Sequence, residues 1–290
     1  MKRALVLFLV AVCLVPLFAQ SISESSESSS ELRIVSLGPN VTEIIYALGA
    51  GDSLVGRTDY CNYPDEALAV TSIGTLYEPN LEAILALDAD VAIASSIVNP
   101  AFIDSLTNAG VAAYQFEEEE SLEGTFRLIQ EVADAIGRTA EGEQIVASMK
   151  ARIDAVRTKV AAIPADQKKS TMYIISYGDW GDYAATGETY LNDVIEAAGG
   201  INAAKDGMYW SISKELLLSQ DPDTILLGAY SYTDPATEIA NFSTLAPYSE
   251  LTASKTGNIC TINGDAAERQ GVRTADTVEE IARILYPELF

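Results

Sequence analysis

The chain has 290 residues, 48% of them apolar and 21% charged, which allows a sizeable core and excludes global disorder. Lys plus Arg number 18 against 42 for Asp plus Glu, and the formal charge of -24 repels phosphate backbones and anionic lipid head groups, so no nucleic-acid partner is expected. There is no histidine, which removes Ser-His-Asp and Cys-His nucleophile systems, His-bearing zinc sites and a His-ligated haem.

Residues 1-19 read as a cleaved signal peptide. Lys2 and Arg3 precede an apolar run over 4-18 that is too short to span a bilayer comfortably, and Ala19 closes it as a small residue. The mature chain is therefore expected in the periplasm or outside the cell. Residues 20-31 form a Ser/Glu-rich tether that cannot repay its ordering entropy. From Leu32 onward strand and helix signals alternate, which predicts an α/β protein with mainly parallel sheets. A β-rich run covers 33-37, Gly38-Pro39-Asn40 turns the chain, and Asn40 with Glu43 has capping-box spacing for a helix through Leu48, closed by Gly49 and Gly51. Strands are expected at 91-94 and 111-116 and a helix at 126-136, with the acidic run 117-120 read as a solvated turn. The second half repeats this grammar: a strand at 172-176, a helix at 191-198 closed by Gly199-Gly200, and strands at 224-227 and 259-262.

The repetition extends to individual residues. Glu82-Ala-Ile-Leu-Ala-Leu-Asp88-Ala-Asp90 precedes one strand and Glu215-Leu-Leu-Leu-Ser-Gln-Asp221-Pro-Asp223 another, so two similar α/β lobes are expected. Between them Ile145, Met149, Ile153, Val156, Val160 and Ile163 recur at steps of four and three on one helical face. A helix over 139-163 would extend about 37 Å, and Pro164 stops it. The organisation read from the chain is an N-terminal lobe at 32-138, a bridging helix at 139-164 and a C-terminal lobe at 165-290, each lobe Rossmann-like. Cys61 and Cys260 are read as two buried thiols, with one disulfide as the alternative.

Several spaced motifs resemble one family. Arg33-Ile-Val-Ser-Leu-Gly-Pro-Asn-Val-Thr-Glu-Ile-Ile-Tyr-Ala-Leu-Gly49 and Val55-Gly-Arg-Thr-Asp-Tyr-Cys-Asn-Tyr-Pro64 look like the opening of periplasmic solute-binding proteins for cobalamin and ferric siderophores. Asn80-Leu-Glu82, Thr189-Tyr-Leu-Asn-Asp-Val-Ile-Glu-Ala-Ala-Gly-Gly-Ile-Asn202 and Ile284-Leu-Tyr-Pro-Glu288 continue the match in order. The resemblance implies two α/β lobes joined by a rigid helix, a solute held between them, and delivery to an ABC permease dimer. It implies no enzyme activity, no cofactor and no protein-held metal; a monomer is expected.

Clefts in α/β lobes form where strand C-terminal ends and helix N-termini converge. That places Pro39, Asn40, Tyr60, Leu76, Tyr77 and Ser95-Ser96 on the first lobe's rim, and Tyr183, Tyr209, Trp210, Asp265, Glu268 and Arg269 on the second. The resemblance makes Tyr60 and Tyr209 aromatic pocket positions and Asp265 and Arg269 polar ones, and it implies a corrinoid ligand, with a ferric siderophore, or haem held by a Tyr, as alternatives. Where cobalamin-binding relatives carry tryptophans on the first lobe, this chain has Leu76 and Ser95. Glu82 and Glu215 occupy matching places just after the N-cap candidates Asn80 and Ser213. The macrodipole explains acids there, and the resemblance adds permease docking. From another class, Asp179, Asp182, Asp265 and Glu268 supply carboxylates for a secreted glycoside hydrolase.

Overall fold

The structure, a computed structural model, describes residues 32-95 and 97-290; the expected leader, the tether and Ser96 lie outside the described residues. The N-terminal lobe runs β1 (Ile34–Ser36), α1 (Pro39–Ala47), β2 (Leu54–Arg57), β3 (Thr71–Ser72), α2 (Leu81–Ala86), β4 (Val91–Ala94), α3 (Pro100–Asn108), β5 (Ala112–Gln115) and α4 (Leu122–Ala135). Its five strands pair in the order β3-β2-β1-β4-β5, all parallel. Strands buried on both faces read as unbroken apolar runs, and Val91 to Ala94 is buried throughout. The order reverses between β1 and β4, so the crevice for a ligand opens at Gly38 and Ser95, beyond their C-terminal ends.

The bridge is α5 (Thr139–Val160), 22 residues and therefore about 33 Å long. The C-terminal lobe follows with β6 (Ser170–Ser176), β7 (Tyr183–Ala184), α6 (Tyr190–Ala197), β8 (Ile201–Asn202), α7 (Lys214–Gln220), β9 (Thr224–Ala229) and α8 (Pro235–Thr244). It closes with α9 (Thr252–Thr256), β10 (Ile259–Asn263), α10 (Gly264–Glu268) and α11 (Thr274–Leu285). The sheet order is β10-β9-β6-β7, with β8 also on β6; only the β6-β7 pairing is antiparallel. Among the described residues no helix is long and apolar enough to cross a membrane.

The sequence repeat has a structural counterpart in each copy. Asn80 and Ser213 cap α2 and α7 by accepting from Ala83 N and Leu216 N, at 3.0 and 3.1 Å. Asp88 and Asp221 end those helices at φ 47° and 38°, a left-handed conformation that Asp tolerates. Asp90 then accepts from Arg33 N at 2.9 Å and Asp223 from Ser170 N at 2.8 Å, so each repeat fastens the entry to its own lobe's first strand.

The long helix joins the lobes through packing as well as along the chain. Met149, Ile153, Val156 and Val160 are buried in one core with Ile44 and Ile129 of the first lobe and Val194 and Ile281 of the second. Ile145 and Ile163 flank that stripe, partly buried. Helices α1, α4, α5, α6 and α11 thus form a shared apolar layer behind the two sheets.

The expected capping box at Asn40 and Glu43 does not form. Gly38 is the N-cap of α1 and gives no side-chain bond, while Asn40 Oδ1 accepts from Val41 N at 2.9 Å. Glu43 is drawn away by two arginines of the other lobe. Cys61 and Cys260 are free thiols, Cys61 buried 3.2 Å from Thr58 Oγ1.

Candidate functional site

Both lobes present their strand C-terminal ends to a small notch of about 210 Å³. Pro39 and Asn40 open α1 on one side of it, Asp265 from the first turn of α10 and Arg269 just after that helix stand on the other, and Leu76 and Ser95 complete the first-lobe wall. These residues were expected on the rim, and the fold brings them together.

Arg269 is the hub. Its NH1 donates to Glu43 at 3.0 Å and to Asn62 at 2.7 Å; its NH2 donates to Asp265 at 2.7 Å and to the Tyr60 carbonyl at 3.4 Å. Arg273 donates to the same Glu43 at 2.7 and 2.6 Å and lies 4.4 Å over the ring of Tyr63. Glu43 is 3% exposed, so two guanidiniums from one lobe neutralise a carboxylate buried in the other. Burying ions is tolerable only with such pairing. The segment carrying Tyr60 is fixed from beneath by Arg57, whose guanidinium donates to the carbonyls of Ala67, Thr58 and Leu68.

The tyrosines divide into groups. Tyr60 and Tyr77 are exposed and meet edge to face with ring centroids 6.3 Å apart. Tyr183 and Tyr209 are also exposed; Tyr183 pairs through its backbone with Ser211, at the base of the turn that carries Tyr209. None of the four lines the notch. Trp210 turns inward and packs on the shared core.

Sequence reading missed a second cavity, of about 990 Å³, at the C-terminal ends of β6 and β9, where this sheet reverses its order. Tyr177, Tyr230 and Tyr232 line it with Glu238. Tyr230 and Tyr232 stack at 5.4 Å, and Tyr232 is 82% exposed, so the second lobe supplies aromatic surface that Leu76 and Ser95 do not. The signal available was the run Tyr230-Ser-Tyr232 directly after a strand ending in Gly228-Ala229.

Glu268 lies between the notch and this cavity. Tyr173 and Tyr230 donate to its Oε1 at 2.6 and 2.5 Å. Burial pushes its carboxyl above the usual carboxylate range, and the two phenol hydrogen bonds pull the other way. Asp265 is bound to Arg269 and Asn62, whereas Asp182 accepts from Tyr248 and lies 3.9 Å from Lys214. Among the described residues no cluster of carboxylates and thiols is arranged to hold a metal ion.

The acidic run is not merely a solvated turn. Glu118 accepts from the Asn40 side chain at 2.8 Å, and Glu120 accepts from Tyr190 N, the first amide of α6, at 2.8 Å. Glu82 and Glu215 are exposed at the first turns of α2 and α7 and bond to nothing among the described residues.

Comparison with known proteins bears on this geometry. The periplasmic binding protein family matches residues 34-266. An uncharacterized ABC transporter substrate-binding lipoprotein of Bacillus subtilis is 29% identical, covering 89% of this chain and 81% of its own length. A cobalamin-binding protein of Halobacterium salinarum is 27% identical, with 88% and 69% covered. Among solved structures, the periplasmic heme-binding protein RhuT from Roseiflexus sp. RS-1, in apo form, superposes with a TM-score of 0.78 at 25% identity, over 90% of this chain and 100% of that one. Two lobes meeting at their strand ends, with a helical layer behind them, are the shared architecture, and the chain belongs to the periplasmic binding protein family.

Proposed function

We propose that this chain is the extracytoplasmic solute-binding component of an ABC importer, and that it captures a metal chelate, a corrinoid in the first place, at the junction of its lobes. The observation that carries this reading is the convergence of both lobes' strand ends on one polar notch, with Asn40, Asp265 and Arg269 on its walls. The notch is smaller than the roughly 300–1,000 Å³ usual for ligand pockets, so a macrocycle rests across the mouth with one edge inside. The substrate-binding and cobalamin-binding relatives support the same assignment.

An iron chelate is the second reading. It is favoured by the exposed phenols of Tyr60 and Tyr77, groups able to ligate ferric iron, and by the likeness to a heme-binding structure. The reading is non-enzymatic: of the carboxylates a glycosidase would need, Asp265 is held by Arg269 and Asn62, Asp182 accepts from Tyr248, and Glu268 accepts from Tyr173 and Tyr230. Native mass spectrometry of the exported protein should reveal a co-purified chelate released intact, and titration with cyanocobalamin should quench tyrosine and tryptophan fluorescence. Turnover of chromogenic glycosides would overturn the assignment.

Delivery is assigned to Glu82 and Glu215. The two acids sit at equivalent helix starts, are exposed and have no partner among the described residues, so they are available to arginines of a permease dimer. Glu82→Lys with Glu215→Lys should abolish uptake while leaving ligand affinity intact and costing about 1 kcal/mol of stability or less at each site. Wild-type uptake by the double variant would leave these acids as helix-dipole partners alone.

A further inference from the structure

We infer that Gln270 reads a hydrogen-bond donor on a peripheral arm of the ligand, so that the notch selects a chelate edged with amide groups over one edged with carboxylates. The inference rests on the chelate-binding reading and narrows its substrate class.

Gln270 follows α10, lines the notch and is 3% exposed, yet its Oε1 accepts from no group. A buried amide oxygen without a donor is an uncommon and costly arrangement. The neighbouring donor groups already hold other partners. Asn40 Nδ2 donates to Glu118, and both amino groups of Arg269 are held by Glu43, Asn62, Asp265 and the Tyr60 carbonyl. Turning either amino group of Arg269 toward Gln270 would break a bond it already makes, to Glu43 or Asp265 among others.

The walls are therefore rich in acceptors: Asp265 and Glu268 stand beside Gln270, and both amino groups of Arg269, though not its Nε–H, are held by other partners. An entering carboxylate meets the like charge of Asp265 and Glu118, and both amino groups of Arg269 are already committed to other acceptors. A primary amide fits the unpaired group at both ends, its N–H donating to Oε1 and its carbonyl turning to Nε2. The volume of about 210 Å³ suits such an arm, not a whole ring.

The full chain, Gln270→Leu and Gln270→Glu are to be titrated with three probes. These are cyanocobalamin, whose corrin edge bears primary amides, dicyanocobyrinic acid, the same ring edged with carboxylates, and hemin. Wild type should favour cyanocobalamin over both acids by at least about tenfold, as expected when a buried acceptor is satisfied by one ligand alone. Gln270→Leu should lose roughly tenfold in affinity for cyanocobalamin and little for cobyrinic acid, while its ligand-free unfolding midpoint holds or rises because the unpaired oxygen is gone. Gln270→Glu, which keeps an acceptor and adds charge, should retain cyanocobalamin and weaken cobyrinic acid further. Unchanged cyanocobalamin affinity in Gln270→Leu overturns the role of Gln270. Equal wild-type affinity for the carboxylate probes overturns the selectivity and leaves the chelate-binding reading standing. Binding of none of the three removes that reading, and the inference with it.

Discussion

Tyr209 and Trp210 lie at φ 50° and 62°, a region that Asn and Gly occupy readily and bulky residues rarely. Met208 and Ser211 bond to each other in both directions, at 3.1 and 2.8 Å, which closes a two-residue hairpin of type I′ around them. Each aromatic there costs about 1–2 kcal/mol. The hairpin persists because Trp210 packs on the core, leaving Tyr209 79% exposed. Tyr209→Asn should relieve the turn, raising stability by about 1 kcal/mol in denaturant melts. It should also weaken ligand binding by about 1–3 kcal/mol, the contact expected of a stacked ring. A gain in stability with full affinity would remove Tyr209 from the site. Glu268 makes a pH-dependent case. Its native carboxyl titrates above its ordinary range because burial disfavours the charge, so between the unfolded and native values the native state holds the extra proton. Its contribution is full below the unfolded value and is lost as pH rises through the native one. The stability of wild type relative to Glu268→Gln should therefore be greatest near pH 4 and fall toward pH 8. A flat difference would show that the burial effect is absent.

At the scale of elements, two helix starts are finished by the opposite lobe. Ser121 caps α4 through Gly124 N, and the next free amide, Leu122 N, donates to Asp193 of α6 at 3.1 Å. Thr189 gives α6 no side-chain cap, and Tyr190 N donates instead to Glu120, just before α4. Each carboxylate satisfies an orphan amide and faces the positive end of the other helix. Glu120→Gln and Asp193→Asn should each destabilise the protein by about 1 kcal/mol in chemical melts. Because both bonds hold the same pair of helix ends, the double variant should lose less than the sum. Strict additivity would mean that the caps act independently.

For the whole molecule, the consequence of the shared helical layer is rigidity. Swinging one lobe away would separate α4 from α6, expose the apolar stripe of α5 and part Glu43 from Arg269 and Arg273. A buried carboxylate deprived of such partners costs about 3–5 kcal/mol. Small-angle scattering curves with and without saturating cyanocobalamin should therefore nearly overlap, and a large compaction would contradict the braced architecture.

Local order was legible in the residues themselves. Strand runs such as Val91 to Ala94, the caps Asn80 and Ser213, and the stripe of α5 are set by neighbours within a few positions, where periodicity and hydrogen-bond chemistry act directly. The repetition of Asp90 and Asp223 was legible in the same way, though their bonds to Arg33 and Ser170, 57 and 53 positions away, were not. Roles that depend on distant partners could not be read. Glu43 has capping-box spacing, but its partner Arg269 lies 226 positions away; Glu120 looks like a solvated acid until Tyr190, 70 positions on, is folded against it. The orphaned oxygen of Gln270 and the Tyr230-Tyr232 stack likewise exist only because loops from separate strands converge. Sequence alone determined the elements, their duplication and the chemistry excluded by the absence of histidine. Tertiary structure decided which charges pair and which polar group stays unpaired, because burial and long-range contact, not local pattern, set those energies.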